Sequence, residues 1–292
     1  MIRPRAFAFN AETAVTNSFQ HHDSGQNISS LALAEFDKMV LTLQASNFHV
    51  QIFEDISNNL PDSVFSNNWM CHLPEGIFTI FPMLTPNRRA EVRADVVEWF
   101  GINTNIKHLI DLRVYSIDQK FLEGTGSIVF DYRNKIAYAC ESPRTNISLF
   151  EKYCRMIGYD AVSFRSTDLV SSPIYDTNVM LSIADHFAIV CFESIPDLVE
   201  RKMLEIKLRE TVHDIIDISY QQMNQFAANC IEVHNQNNRS HLLMSTTAFA
   251  SLTEEQKTII GKHSTILHFD IPVIEKVGGG SVRCMITGGF IS

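Results

Sequence analysis

The last cysteine of the chain, Cys284, lies four residues beyond three consecutive glycines (278–280) and just ahead of an apolar terminus. Glycine accepts backbone conformations and close approaches that a Cβ forbids. The stretch 275–290 therefore predicts a flexible turn feeding a strand over 282–291, with a thiol carried at the mouth of a pocket. A buried, inert cysteine in an ordinary loop gives the same pattern, so reactivity must be argued from the surroundings. Three loops supply candidate surroundings: Asp62 in the Asn-, Ser- and Pro-rich run 58–69, Glu123 in Leu-Glu-Gly-Thr-Gly-Ser, and Asp176 in Asp-Thr-Asn. Each has a plain reading as a turn residue, a solvated strand end or an Asx-turn. Gathered around a thiol they suit a guanidinium or amidine. Its planar N–H donors pair bidentately with carboxylates, and its electron-poor central carbon is open to a thiolate.

Strand and helix signals alternate along the whole chain, and these elements must position the loops. Helical spacing predicts a helix over 28–45 through Leu33, Phe36, Val40 and Leu43. Thr85-Pro86 reads as an N-cap followed by proline at the first helical position, opening a helix with Val92, Val96 and Trp99 on one face. Thr145 reads as the cap of a helix facing inward through Leu149, Tyr153 and Met156 and stopped by Gly158. A further helix is expected over 197–209, and capping boxes at 219–222 and 253–256 open two more. Strands are expected over 48–53, 77–81 and 106–112, in a hairpin of 128–132 with 135–140, and over 161–164, 179–183, 186–191, 212–218, 230–234, 241–244 and 265–269. No proline-rich or low-complexity linker divides the chain, which favours one α/β domain over 1–292. Roughly five strand-strand-helix-strand units of about sixty residues would fill it. A doubly wound sheet is the alternative, but the lone Gly-x-Gly at 124–126 is no dinucleotide fingerprint.

Composition narrows the function. A chain of 292 residues with 45% hydrophobic and 20% charged residues carries a substantial core. Its net charge of -9 argues against a nucleic-acid partner, which calls for a basic patch, and fits a small cationic ligand or simply an acidic surface. No apolar run is long enough for a bilayer, and the N-terminus lacks an apolar signal segment. The six scattered cysteines form no Cys-x-x-Cys and the eleven histidines no metal-binding helix pair. That excludes an evident zinc site or disulfide framework and fits a reducing cytoplasm. His21-His22 reads as a polar loop, and His186 as a structural strand residue.

At these loops the sequence resembles the amidinotransferase and arginine-deiminase superfamily, above all its bacterial citrulline-utilisation, arginine-deiminase-related branch. The likeness is carried by Arg3-Pro4 with Phe9-Asn10, by 61–65 with Asn67-Asn68-Trp69, and by Phe81-Pro82-Met83 with Asn87-Arg88-Arg89. It continues through 121–127, Ser142-Pro143-Arg144, Pro173-Ile174-Tyr175 with 177–180, and 278–281 with Arg283-Cys284-Met285. The resemblance implies the pentein fold, a five-bladed pseudo-symmetric α/β propeller of ββαβ units around a central site. It implies a cofactor-free hydrolase of a small guanidino or ureido compound, arginine or a close derivative, giving citrulline or a related product. Cys284 falls on the nucleophile that forms a covalent thiouronium, and Asp62 and Glu123 on carboxylates that hold the guanidinium. Asn178 falls where other branches carry a substrate-contacting aspartate. Arg3, Asn10 and Arg283 are implied to hold the substrate's α-carboxylate or the loops around it. The number of subunits stays open, with a homodimer compatible.

One position departs from the family. Its general acid/base is a histidine in a His-Thr-Asn element, where this chain has Asp176. An ordinary aspartate titrates near 3.9 and is a poor proton donor at neutrality, and general acid/base help is worth about 10²–10⁴-fold. Three readings of Asp176 stand side by side: an engineered replacement in an inert enzyme, a natural binding or regulatory relative, or a buried carboxyl with a raised pKa acting as the proton shuttle. A transferase passing the amidino group to an acceptor amine is a further alternative.

Overall fold

Apolar runs of four or five residues, too short for helices, become the middle strands of three of the four three-stranded sheets. The computed structural model describes residues 1–23, 25 and 27–290. Ile77–Ile80, Ile136–Cys140 and Phe187–Val190 are buried along their whole length, as strands covered on both faces must be. Each is paired antiparallel with the strand before it: Met70–His72, Val129–Asp131 and Leu181–Ile183. Each is paired parallel with the strand that follows the intervening helix: His108–Asp111, Asp160–Phe164 and Asp214–Asp217. Ile231–His234, Ser240–Ser245 and Thr265–Phe269 repeat the pattern in a fourth sheet. A fifth sheet is reduced to Ile2–Arg3 beside Phe53–Glu54, parallel, with the long helix Ile28–Ala45 between them. Strand-strand-helix-strand is thus the unit in four of five sheets, and the fold is mixed α/β.

The helices close the apolar faces. Ile147–Ile157 buries Leu149, Phe150, Tyr153, Cys154 and Ile157, an amphipathic stripe at helical spacing. Full burial of a Leu or Phe side chain contributes about 1.5–3 kcal/mol, so this stripe holds its helix in place more firmly than propensity does. Truncating Phe150 to alanine would cost about 3–5 kcal/mol. Ile28–Ala45 runs as its spacing predicts, with Phe36, Val40 and Leu43 buried. Both capping boxes form, at Ser219 with Gln222 and at Thr253 with Gln256. Among the described residues, no helix is long and apolar enough to cross a membrane.

Several expected elements differ. The strand over 48–53 survives only as Phe53–Glu54, because its one partner, Ile2–Arg3, is equally short. The helix after Thr85 is a single turn, Pro86–Arg89, whose cap residue makes no side-chain hydrogen bond, and Val96 belongs to a second helix, Ala94–Asn103. Asn146 rather than Thr145 caps the helix before Gly158, accepting from the Leu149 amide, and Met156 faces outward at 50% exposure. The strand expected from 179 begins at Leu181, since Thr177–Val179 coils into a one-turn 3-10 helix.

Candidate active site

Cys284 stands on a one-turn 3-10 helix, Val282–Met285, and not on the expected strand 282–291, whose last residue, Ile291, lies outside the described residues. The cause lies upstream. Helix Pro272–Gly278 ends at Gly279, in the left-handed region at φ +62, which favours glycine. The Gly279 carbonyl accepts from the Tyr175 hydroxyl at 2.6 Å, and the Ser281 hydroxyl donates to Glu275 Oε1 at 2.6 Å. A turn pinned at both points brings the Cys284 amide onto the Ser281 carbonyl at 3.0 Å, which coils the segment. The sulfur is 3% exposed. It receives the side-chain amides of Asn229 at 3.3 Å and Asn178 at 3.6 Å, and Asn229 Oδ1 lies 3.6 Å away as an acceptor. Burial pushes the thiol pKa up, the Asn229 amide opposes it, and the Asp176 carboxylate adds to the rise.

Asp62, Glu123 and Asp176 are all buried, each at no more than 2% exposure, which rules out the surface-turn readings. Glu123 and Asp176 precede the one-turn helices Gly124–Ser127 and Thr177–Val179, yet neither side chain caps its helix. They point elsewhere. Asp62 Oδ2 accepts from Asn10 Nδ2 at 2.7 Å and Thr13 Oγ1 at 2.9 Å, and Glu123 Oε1 from the Leu84 amide at 2.9 Å. The second oxygen of each carboxylate, Asp62 Oδ1, Glu123 Oε2 and Asp176 Oδ1, is buried with no hydrogen-bond partner among the described residues. Buried polar atoms are nearly always satisfied, so three orphans on three neighbouring carboxylates mark a place made for a donor.

Two buried guanidinium groups temper this charge. Arg88 forms a two-point pair with Glu91, both contacts at 2.9 Å, and donates to Asn68 Oδ1 at 3.1 Å. It stands 4.0 Å from Asp62 Oδ2 and 3.9 Å from Glu123 Oε2. Arg144 lies 3.6 Å from Glu123 Oε2, stacked over the Tyr175 ring. Against two cations the cluster sets four carboxyl groups, Asp62, Glu91, Glu123 and Asp176, which can ionise further when a cationic ligand enters. Burial pushes the Asp62 pKa up against the pull of Arg88, and pushes Glu91 up to about 7.

Asp176 is joined to that cluster by one bond, Asn68 Nδ2 to Oδ2 at 2.9 Å. Gly126 makes room for it, since a Cβ there would lie 2.3 Å from both atoms. Burial first, then the Glu123 carboxylate, pushes Asp176 up to about 7, with Arg144, Asn68 and Arg88 pulling the other way. A carboxyl with that pKa is substantially protonated at neutrality and can donate a proton.

The structure therefore brings Cys284, Asn178, Asp176, Glu123, Asp62 and Asn10 into one connected region, linked by Asn178 Nδ2 to the Thr125 carbonyl at 3.3 Å and by Asn68. Two expected residues lie outside it. Arg3 is engaged at the surface by Asp37, two contacts at 2.7 Å, and by Glu54 at 3.2 Å, because the reduced fifth sheet leaves it facing that helix. Arg283 instead lines a cavity of about 620 Å³ with Cys71, Tyr132 and Cys230, which reaches Asn178 and Thr125 of the site, and its guanidinium donates to the Ile286 carbonyl. Sequence reasoning missed Asn68, Arg88, Arg144 and Asn229 as site residues. The spacing held a signal for Asn229, which stands 51 residues after Asn178 and 55 before Cys284, close to one structural unit each way. Metal was not expected either, and among the described residues one cluster, His213, Asp214 and His263, could offer ligands; Asp214 Oδ2 accepts from both rings.

The family profile of eukaryotic N,N dimethylarginine dimethylhydrolase matches residues 3–291. The chain belongs to this family. It thereby sits in the pentein, arginine-deiminase-like superfamily that its motifs resemble. Solved structures share the dimethylhydrolase family member's fold. Apo ArgZ, an arginine dihydrolase from the ornithine-ammonia cycle in cyanobacteria, gives a TM-score of 0.76 at 18% identity, covering 100% of this chain and 40% of that one. The chain thus spans less than half the length of that ArgZ chain. The N-terminal domain of ArgZ bound to substrate gives 0.74 at 16% identity, covering 98% and 95%. A dimethylarginine dimethylaminohydrolase adduct with 4-chloro-2-hydroxymethylpyridine gives 0.63 at 17% identity, covering 89% and 94%. None of the curated proteins compared by sequence matches the chain.

Proposed function

We propose that this chain hydrolyses a guanidino compound, arginine or a close derivative, through a covalent adduct on Cys284. The observation that carries the reading is the trio of orphaned carboxylate oxygens in the network that also reaches the sulfur through Asn178. Asp62 and Glu123 would each take guanidinium N–H donors, and the substrate cation would lower the pKa of the nearby thiol by opposite-charge attraction. The thiolate adds to the central carbon. The C–N bond to the leaving group then breaks as Asp176 gives its proton to the departing ammonia or amine, leaving a thiouronium. Asp176, now a carboxylate, takes a proton from water, which adds to the same carbon; the C–S bond breaks, the thiol returns, and the ureido product, citrulline for arginine, is released. No cofactor enters this sequence.

Family membership and two solved relatives support it: ArgZ is named an arginine dihydrolase, and an ArgZ N-terminal domain variant is described as covalently bound to a reaction intermediate. The five sheets, four sharing one unit, accord with a five-bladed propeller around this site. Six free cysteines accord with a reducing compartment such as the cytoplasm. The test is a panel of guanidino compounds with ureido product read by mass spectrometry. Turnover by the unaltered chain and none by Cys284→Ala is expected, whereas equal turnover by both would reject the reading.

A further inference from the structure

The sulfur of Cys284 has an unusual environment for a nucleophile in that both of its side-chain hydrogen-bonding neighbours are neutral amides, with the Ser281 backbone helping from the turn before it. One belongs to Asn178, a position already expected at the site. The other belongs to Asn229, which nothing in the motif pattern marks. Asn229 is fully buried and sits in the turn that leads into strand Ile231–His234, with Phe226 held at φ +62 and the Asn229 amide donating to the Phe226 carbonyl at 2.9 Å. Its Nδ2 also reaches Asn178 Oδ1 at 3.2 Å. The two side chains are therefore locked to each other as well as to the sulfur.

We infer that Asn229 is a positioning residue that, with Asn178, forms a two-amide cradle stabilising Cys284 as the thiolate. The inference deepens the hydrolase reading above and rests on it for its mechanistic meaning. The geometry gives Asn229 a part in both protonation states. Its Oδ1, 3.6 Å from the sulfur, can accept the S–H of the thiol; its Nδ2, at 3.3 Å, can donate to the thiolate. No side-chain flip separates the two arrangements. Hydrogen bonds donated to an ion favour that ion over its neutral form, and they are stronger in a buried site than in water. The titratable and charged groups facing the sulfur are the Asp176 carboxyl and, in the next layer, the Tyr175 hydroxyl, whose own pKa burial holds well above the ordinary value. Neither favours a thiolate. In the free enzyme that task falls to the amides.

The cradle also fixes the direction of attack. A thiolate held by two donors on one side presents its remaining lone pairs on the other, and reacting atoms must meet at about 3–3.5 Å with aligned orbitals. Loss of Asn229 should therefore lower kcat while leaving KM for the cation nearly unchanged, because the carboxylates that bind it lie on other elements.

The test is an ultraviolet difference titration of the thiolate, each protein minus its own Cys284→Ser counterpart, which needs no substrate. Asn229→Ala is expected to titrate at higher pH, with about tenfold less thiolate at a fixed pH below the transition, the equivalent of one pKa unit. Asn229→Leu, close in size and without charge, also removes the donors; it is expected to shift the curve as far, and it carries the test should the alanine variant not fold. An unchanged titration in a folded Asn229 variant would overturn the inference. Because the readout is the sulfur itself, a chain with no activity on any guanidine could still show the shift, and an active chain could fail to show it.

Discussion

The site has two ends that handle charge in opposite ways. At one, around Asp62, Glu91 and Glu123, buried carboxylates are held by a buried guanidinium, with Arg88 in two contacts of 2.9 Å to Glu91 and about a van der Waals step further from the other two. At the other, Cys284 is met by two amides from the segments that lead into separate sheets. Fixed ions at the first end recognise a cation but would make a poor cradle for an anionic nucleophile; neutral dipoles at the second can stabilise a thiolate without pairing away its reactivity. Asp176 is the hinge between them, bonded through Asn68 to the ionic end and adding its charge to the sulfur's surroundings. The difference separates binding from chemistry along one connected network.

Removing that hinge gives the largest expected effect on the comparison. Asp176→Asn should cut turnover by about 10²–10⁴-fold, the usual worth of a general acid/base. The pH profile carries the sign. With Asp176 needed protonated and Cys284 needed as thiolate, the rate climbs with pH below about 7, where Asp176 titrates, stays flat from there to the higher thiol pKa, and falls beyond it. In Asp176→Asn the residual rate should lose the flat region and keep climbing toward the thiol pKa. Asp176→His, which restores the group usual in the family, should bring no large gain, because the aspartate already titrates near neutrality. A sharp gain would show that Asp176 is an impairment.

Next come the clamps. Asp62→Asn or Glu123→Gln, each removing one side of a buried charge pair, should weaken substrate binding by about 2–5 kcal/mol, read as a raised KM. A loss confined to kcat would place these carboxylates in the chemistry and break the division between the two ends.

These residues were legible in the sequence because motif position travels with backbone position. Asp62, Glu123 and Cys284 were readable as a set although they lie far apart along the chain. Their supports lay within the same motifs, but their roles were not readable. Asn67 and Asn68 sit in a run of Asn, Ser and Pro that looks like solvated loop, yet both are buried, because a one-turn helix tucks them under Gly124 and Gly126. Arg88 looks like the basic end of a short helix; only tertiary packing turns it inward onto Glu91. The strand expected at Cys284 failed for a related reason. The largely apolar run at 282–286 suits a strand, but the turn at Gly279 and the bond from Ser281 to Glu275 decide the conformation first. Long helices such as Ile28–Ala45 and Leu198–Thr211 were readable because their periodicity is local.

A smaller effect should appear in stability. Glu91 and Asp176, both pushed up to about 7, keep protons in the folded chain that the unfolded chain releases near the ordinary carboxylate values. Their contribution is complete below those ordinary values and is lost as pH rises through about 7, so Tm should decline from about pH 4 to 7. Asp176→Asn should make that decline shallower, and an identical slope in the variant would show that Asp176 ionises in the folded chain as it does in the unfolded one. Arg3→Ala should have the smallest effect. Its partly exposed pair with Asp37 is worth at most about 1 kcal/mol, and kcat and KM should not move. A raised KM would return Arg3 to the site.

The account turns on the sulfur of Cys284 bonding to carbon. Intact-protein mass spectrometry of the chain mixed with arginine or its N-alkylated derivatives and quenched in acid during turnover reads that bond directly. The expected result is a mass increase matching the amidino-bearing fragment, mapped to Cys284 and absent from Cys284→Ala. Ureido product accumulating with no adduct on Cys284, or with one on another cysteine, would contradict it.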